Sequence, residues 1–130
     1  MDWTRRYLAI PHIKTRSGFD GADCFGLCQL IWRVERGREL PPALPYTETG
    51  PAARDHLTEC VDQGRSGYRS IEAAEPFALI VFHLGGYPIH IGLAVDEANF
   101  IHTTRTTGVL LEDLTSPAWS KRIEGFYVPH

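Results

Sequence analysis

Every second side chain between residues 89 and 95 is apolar, which is the pattern of a β-strand with one buried face. The two sets are Ile89, Ile91, Leu93 and Val95 on one face, and His90, Gly92 and Ala94 on the other. Further strands are predicted over residues 77–84, 99–103, 108–111 and 123–128, with turns at Gly85 and Gly86 and at residues 96–98. Strands joined by such short turns pair antiparallel.

One amphipathic helix precedes these strands. It is predicted over residues 24–36, with Asp23 as the N-cap and Gly37 as the C-cap. Its buried stripe is predicted to contain Cys24, Leu27, Cys28, Ile31 and Val34. A second helix is predicted over residues 52–63, with Cys60 as a small core residue, and short helical segments are predicted over 3–10 and 117–121. Helices separated in sequence from a run of antiparallel strands predict an α+β fold.

The composition is that of an ordinary soluble domain. The chain has 130 residues, with 43% hydrophobic and 22% charged residues, and we expect a single domain over 1–130. A net charge of −3 gives no reason to expect a nucleic-acid partner. No apolar run approaches the roughly 18 residues that span a bilayer. Residues 1–6 lack the apolar core of a secretory signal, so we expect synthesis in a cytoplasm.

Cys24 is the candidate nucleophile. A thiol in the first turn of a helix lies near the positive end of the helix dipole, which favours the reactive thiolate. His90 and His102 lie twelve residues apart on predicted strands. A thiol, a base and a residue that orients the base form the site of a cysteine hydrolase. We assign His90 as the base and His102 as the orienting residue, and expect the small residues Gly92 and Ala94 to let the helix approach the sheet.

Each of these residues also has an ordinary structural interpretation. A free cysteine is usually buried and inert, which is how we interpret Cys28, and a lone histidine is most often a hydrogen-bonded core residue. Cys24, Cys28, His90 and His102 could also form a zinc site. However, Cys-x-x-x-Cys spacing within a helix suits structural zinc poorly. No metal or other cofactor is therefore predicted.

Three motifs in order resemble the NlpC-type cell-wall peptidases, which are papain-like cysteine peptidases. They are Asp-Cys-Phe-Gly-Leu at 23–27 with Gly-Arg-Glu-Leu-Pro at 37–41, His-Ile-Gly-Leu-Ala-Val at 90–95, and Phe-Ile-His at 100–102. The resemblance implies a nucleophile helix packed on an antiparallel sheet of four to six strands. It also implies cleavage of peptidoglycan stem peptides after D-γ-glutamyl, next to diaminopimelate, through an acyl-enzyme on Cys24.

The phage-tail branch of that family is the most similar. Phe25 follows the cysteine where cellular hydrolases have Ser, and residues 122–127 resemble the terminal strand of that branch. This resemblance implies a component of a virion-like tail, or of a gene transfer agent. The protein would be made in the host cytoplasm and would act in the periplasm or cell wall. Its expected partners are tail tip or hub proteins and the peptidoglycan peptide.

Two positions depart from the family pattern. His12 follows Pro11 where the family has a Tyr whose hydroxyl assists at the oxyanion, so His12 is the candidate oxyanion donor. Asp23 is a further candidate for oxyanion or substrate binding. Residues 77–79 read Phe-Ala-Leu in place of Gly-Asp-Leu. These departures leave open a slow or narrowly specific enzyme, and they motivate the alternative of a structural or assembly role in the tail tip with little hydrolysis. A third hypothesis is an acyltransferase or amidase on the same scaffold with a substrate outside the wall.

Overall fold

The computed structural model describes residues 2–41, 67–84 and 87–130. The predicted helix over 52–63, with Cys60, and the predicted turn at Gly85 and Gly86 lie outside the described residues. Within the described ranges, no helix combines the length and the apolar character needed to cross a bilayer.

The described residues form one long helix, two short helical segments and eight strands. The helical segments are a 3₁₀ helix at Asp2–Tyr7, α1 at Cys24–Arg36 and α2 at Pro117–Ser120. The strands are β1 (Ser17–Gly18), β2 (Gly21–Ala22), β3 (Tyr68–Ile71), β4 (Leu79–Leu84), β5 (Tyr87–Ala94), β6 (Asn99–Thr104), β7 (Gly108–Asp113) and β8 (Ile123–Pro129).

Six of the strands form the main sheet. Their order across the sheet is β3-β8-β4-β5-β6-β7, and each neighbouring pair is antiparallel. The helix α1 packs against β5 and β6. The predicted α+β fold, with the helix packed on an antiparallel sheet of four to six strands, is confirmed. β1 and β2 form a separate small hairpin directly before α1.

The ends of α1 fall where the capping residues predict. Asp23 is the N-cap, and Gly37 is the C-cap in the left-handed conformation with φ 64°, which glycine adopts without steric cost. The predicted buried stripe is correct for its first four residues but wrong for Val34, which is 39% exposed. Val34 lies in the last turn of α1, beyond Trp32, and this turn extends past the core into solvent.

The sheet has an apolar cluster on each face. Ile91 and Leu93 belong to the cluster that includes α1, whereas Ala94 belongs to the cluster on the opposite face with Phe82 and Phe100. The expectation that Gly92 and Ala94 face α1 is therefore wrong. A Cβ added at Gly92 would lie 2.9 Å from Cδ2 of Phe100 and 3.3 Å from Cε2 of Phe82. The small side chains make room for these two aromatic rings.

Candidate active site

Cys24 is the first residue of α1, and it is buried, with 6% of its surface exposed. The helix begins here because Asp23 has an extended backbone and its Oδ1 accepts a hydrogen bond from the backbone N–H of Gly26 at 2.7 Å. The thiol therefore lies in the first turn, where the helix dipole favours a negative charge. The absence of a side chain at Gly26 lets this turn lie against the backbone carbonyl of Arg16, which an added Cβ would hit.

Asp23 holds the segment in front of the helix as well as the helix itself. Its second oxygen, Oδ2, accepts a hydrogen bond from the backbone N–H of Thr15 at 2.9 Å. Burial raises the pKa of the Asp23 carboxyl, and the bonds from Gly26 and Thr15 oppose that rise. Both oxygens thus have backbone donors, and the role seen for Asp23 is to fix the entry to α1. Its part in oxyanion or substrate binding stays a prediction.

Cys28 is a packing residue in this structure. It is 1% exposed, and its thiol donates a hydrogen bond to the backbone carbonyl of Cys24 at 3.5 Å. Burial raises the pKa of the Cys28 thiol well above its ordinary value, and negative charge at Cys24 or Asp23 would raise it further. A protonated, enclosed thiol is a poor nucleophile.

His90 and His102 form a direct hydrogen bond, as their proposed roles require. Nε2 of His90 lies 2.8 Å from Nδ1 of His102, and the two residues are 7% and 1% exposed. The backbone pairing of β5 with β6 includes Leu93 with Ile101 and Ala94 with Phe100. The hydrogen bond between the two imidazoles is a further connection between β5 and β6, outside these two backbone pairs.

Glu112 continues this hydrogen-bonded chain. Its Oε2 lies 3.0 Å from Nε2 of His102. Glu112 is on β7, paired with Phe100 of β6, while His102 is paired with Leu110. Glu112 and His102 are thus diagonal neighbours on one face of the sheet, where side chains of two strands reach each other. The result is a line of three groups, His90, His102 and Glu112, that runs across three strands.

Trp119 of α2 covers the imidazole pair. Its ring centroid lies 4.9 Å from that of His102, edge-on, and 6.1 Å from that of His90. The same indole contacts the ring of Phe100 at 5.4 Å, and the Arg122 guanidinium lies 5.8 Å from its centroid. Trp119 therefore places apolar surface over the histidines, which helps to keep water away from them.

This burial keeps both histidines neutral. The pKa of His90 is lowered to about 3, mainly by burial and then by the neighbouring His102 and His12. The pKa of His102 is also lowered by burial, although the hydrogen bond to Glu112 and the charge of that carboxylate oppose the change. At neutral pH, His90 is thus a neutral imidazole with one N–H and one nitrogen that carries a lone pair.

His12 links the helix start to the histidine pair. Its backbone forms a parallel bridge with Ala22, two residues before Cys24, and its Nδ1 lies 3.4 Å from Oγ1 of Thr103, the residue after His102. Burial lowers the pKa of His12, the nearby Asp23 opposes this, and Arg105 adds to it. His12 is therefore a neutral imidazole between the two chain segments that carry the predicted catalytic residues.

Among the described residues, no group of three or more His, Cys, Asp and Glu side chains could hold a metal ion. The alternative zinc set of Cys24, Cys28, His90 and His102 is therefore not assembled. What the structure does bring together is the His90–His102 pair and the contacts of His12 with both segments.

Neither Glu112 nor Trp119 is among the site residues predicted from the sequence. Glu112 could have been found from the hairpin between β6 and β7, because a three-residue loop at 105–107 fixes Thr104 opposite Gly108 and hence Phe100 opposite Glu112. Trp119 carries no such signal, since the position of α2 over the sheet depends on tertiary packing.

Comparison with known proteins gives a consistent family. The NlpC/P60 family profile matches residues 12–128. A curated relative, the murein DD-endopeptidase MepS/murein LD-carboxypeptidase of Escherichia coli strain K12, is 27% identical over 103 residues, covering 78% of this chain and 46% of the relative. The same enzyme from Escherichia coli O157:H7 matches with the same identity and the same coverage. This chain thus spans about half the length of the curated relatives that it matches.

Solved structures with the same fold include an NLP/P60 family lipoprotein-like protein from Staphylococcus aureus, with a TM-score of 0.66 and 22% identity, over 100% of this chain and 40% of that one. The NlpC/p60 domain of the peptidoglycan hydrolase SagA superposes with a TM-score of 0.62 and 17% sequence identity. The match covers 99% of this chain and 94% of that one. NlpC2 from Trichomonas vaginalis superposes with a TM-score of 0.62 and 19% sequence identity, and the match covers 98% of this chain and 45% of that one. The fold agrees with the profile match, which covers nine-tenths of the chain, and the chain belongs to the NlpC/P60 family.

Proposed function

We propose that this chain is a cysteine endopeptidase that cleaves peptidoglycan stem peptides at a γ-D-glutamyl–diaminopimelate type bond. The observation that carries the proposal is the buried hydrogen bond between His90 and His102, together with His12, which contacts both the segment before Cys24 and Thr103 beside His102. Family membership and the similarity to a murein endopeptidase support the choice of peptidoglycan as the substrate.

Cys24 supplies the nucleophile in this reaction. His90 accepts the thiol proton while the sulfur attacks the carbonyl carbon of the scissile amide. The tetrahedral intermediate collapses when the C–N bond breaks and the leaving amine takes the proton from His90, which leaves a thioester on Cys24. Water then attacks the thioester with His90 again as the base, and the thiol is regenerated together with the free carboxylic acid.

The oxyanion would be held by the backbone N–H of Cys24 and by His12. The hydroxyl of Thr103 can donate its hydrogen to Nδ1 of His12 across the 3.4 Å contact. That arrangement places the proton of a neutral His12 on Nε2, so the ring keeps one N–H for the developing negative charge. In this way His12 could perform the task that the Tyr hydroxyl performs in the family.

We also propose that the protein acts as part of a phage-like tail and helps it to pass the cell wall during DNA delivery. Phe25 after the nucleophile and the residues 122–127 support this assignment through their resemblance to the phage-tail branch. In that setting the chain is made in the host cytoplasm, is held by tail tip or hub proteins, and acts in the periplasm or cell wall.

The decisive experiment measures the release of muropeptides from purified Gram-negative sacculi, identified by mass spectrometry. Wild-type protein is compared with Cys24→Ala and with Cys28→Ala as the matched control that removes the packing thiol. We expect release from the wild type and from Cys28→Ala but not from Cys24→Ala. Equal release from the wild type and Cys24→Ala would refute the cysteine mechanism. Products cut at other bonds would refute the stated bond.

The structural alternative makes the opposite prediction in particles. If the chain serves only as a tail tip component, particles that carry Cys24→Ala assemble and transfer DNA as well as the wild type. If the peptidase is needed for entry, those particles assemble normally but transfer DNA poorly. Electron microscopy of the particles separates assembly from transfer.

A further inference from the structure

We infer that Glu112 is a positioning residue whose carboxylate fixes the protons on His102 and His90 and so leaves Nδ1 of His90 as the proton acceptor of the site. This role would serve the proposed peptidase reaction and, as a role in catalysis, rests on it. The placement of the protons follows from the hydrogen-bonded chain together with the neutral state of His102, and it can be tested without activity.

The first step concerns His102. A carboxylate only accepts hydrogen bonds, so the nitrogen of His102 that faces Glu112 must carry a hydrogen. That nitrogen is Nε2, at 3.0 Å from Oε2 of Glu112. Since His102 is neutral at pH 7, because burial lowers its pKa, its other nitrogen, Nδ1, has a lone pair and no hydrogen.

The second step concerns His90. Nδ1 of His102 is 2.8 Å from Nε2 of His90, and as a lone-pair acceptor it requires a donor there. His90 therefore carries its hydrogen on Nε2. A neutral imidazole has one hydrogen, so Nδ1 of His90 is left with a lone pair that can take the proton of a thiol.

Without Glu112 the same pair has a second arrangement. His102 could carry its hydrogen on Nδ1 and donate it to Nε2 of His90, which would place the hydrogen of His90 on Nδ1. The base of the site would then be blocked by its own proton. The hydrogen bond to a charged acceptor selects between these two states, and such bonds are about twice as strong as neutral ones.

The surroundings make this selection effective. His102 is 1% exposed and lies under the ring of Trp119, whereas the Glu112 side chain is 30% exposed. The solvated carboxylate stays at the rim of the sheet while its partners lie inside. Hydrogen bonds in such a low-dielectric interior polarise one another along a chain, so the choice made at His102 is passed to His90.

The direct test is NMR with ¹⁵N-labelled protein, in which long-range ¹H–¹⁵N correlations report the tautomer of each imidazole. Three proteins are compared: the wild type, Glu112→Gln, and Glu97→Gln, which removes one exposed carboxylate elsewhere. We expect the Nε2–H tautomer for both His90 and His102 in the wild type and in Glu97→Gln. In Glu112→Gln we expect a mixture, because the amide can present either its oxygen or its NH₂ group.

A wild-type protein in which His90 carries its hydrogen on Nδ1 would overturn the inference by itself, even if Glu112→Gln failed to fold. Unchanged tautomers in a folded Glu112→Gln protein would also overturn it, because Glu112 would then not determine the proton positions.

A kinetic test addresses the role in catalysis. Because Glu112→Gln removes the charged acceptor, and hydrogen bonds to charged groups are the stronger ones, we expect this variant to lower kcat by about ten- to a hundredfold, with KM changed less than twofold. Glu112→Asp keeps the charge and should recover part of the loss. The rate of Cys24 alkylation by iodoacetamide should fall in parallel, with its pH profile moved to higher pH.

The two proposals fail in different ways. If the wild type shows the expected tautomers but releases no muropeptides, the peptidase proposal fails and the proton placement by Glu112 stands. If the wild type is active and Glu112→Gln keeps the same kcat and the same alkylation profile, the peptidase proposal stands and the role of Glu112 in catalysis is refuted.

Discussion

Lowering the pH from 7.5 to 5.0 should destabilise the native state through His90. In the unfolded chain His90 titrates near its ordinary pKa of 6.5, whereas burial lowers its native pKa to about 3. Between these values the unfolded state binds more protons than the native state, so the free energy of unfolding falls as the pH falls. At pH 5.0, 1.5 units below the unfolded pKa, one such histidine removes about 2 kcal/mol. Any native pKa below about 4 gives the same result, because His90 is then still neutral at pH 5.0.

The assay is urea unfolding at both pH values, followed by tryptophan fluorescence. Two variants are compared with the wild type: His90→Asn, which removes the buried imidazole, and His130→Asn, which removes an exposed one. The pH-dependent loss should shrink by about 2 kcal/mol in His90→Asn and stay unchanged in His130→Asn. Asp23 works in the opposite direction, since its raised pKa favours the native state as the pH falls, but it is common to all three proteins. An equal pH dependence in His90→Asn and the wild type would refute the burial argument.

Three further substitutions test the residues around the candidate nucleophile Cys24. Gly26→Ala should cost about 1–3 kcal/mol of stability in urea unfolding, because the added Cβ meets the Arg16 carbonyl. A loss below 0.5 kcal/mol would contradict that contact. Asp23→Ala removes the N-cap and the bond to Thr15 and should cost about 1–2 kcal/mol, whereas a neutral effect would show that the cap is dispensable. His12→Ala should lower kcat of the proposed reaction by about a hundredfold with Cys24 alkylation unchanged. Equal losses of kcat and alkylation would argue against an oxyanion role.

The parts of the fold that follow from local sequence were predicted well. Asp23 and Gly37 define α1 because capping depends on side chains and backbone conformations within one turn of the helix end. The strand β5 was found because its alternation spans the whole segment. The prediction for Val34 was wrong because its burial depends on where the sheet ends beneath α1. The helical period of the sequence carries no information about that position.

The assignment of faces required the tertiary structure. The alternation along β5 shows that Gly92 and Ala94 share one face of the sheet. It does not show whether α1 or the opposite apolar cluster packs on that face. The small side chains were assigned to close packing with α1, whereas they accommodate Phe82 and Phe100. Either layer can require small residues on the sheet, so the presence of Gly and Ala does not show which of the two layers packs there.

The candidate site shows the same division between local and tertiary information. The pair of His90 and His102 could be predicted, because both histidines stand out on apolar strands. His12 could be named from its place after Pro11, but its contacts join Ala22 to Thr103 across about eighty residues of sequence. No local pattern contains a contact of that range.

The burial that keeps His90 neutral is the same burial that makes the protein sensitive to acid. A histidine with an ordinary pKa would be partly protonated near pH 6.5. The enclosure by Trp119 and Phe82 keeps His90 neutral well below that pH, as long as the native state persists. The acid sensitivity of folding and the protonation state of His90 are thus set by one environment. A substitution that opens the aromatic cover to water should raise the pKa of His90 and reduce the acid sensitivity of folding together, whereas a change in only one of these would show that they arise from different groups.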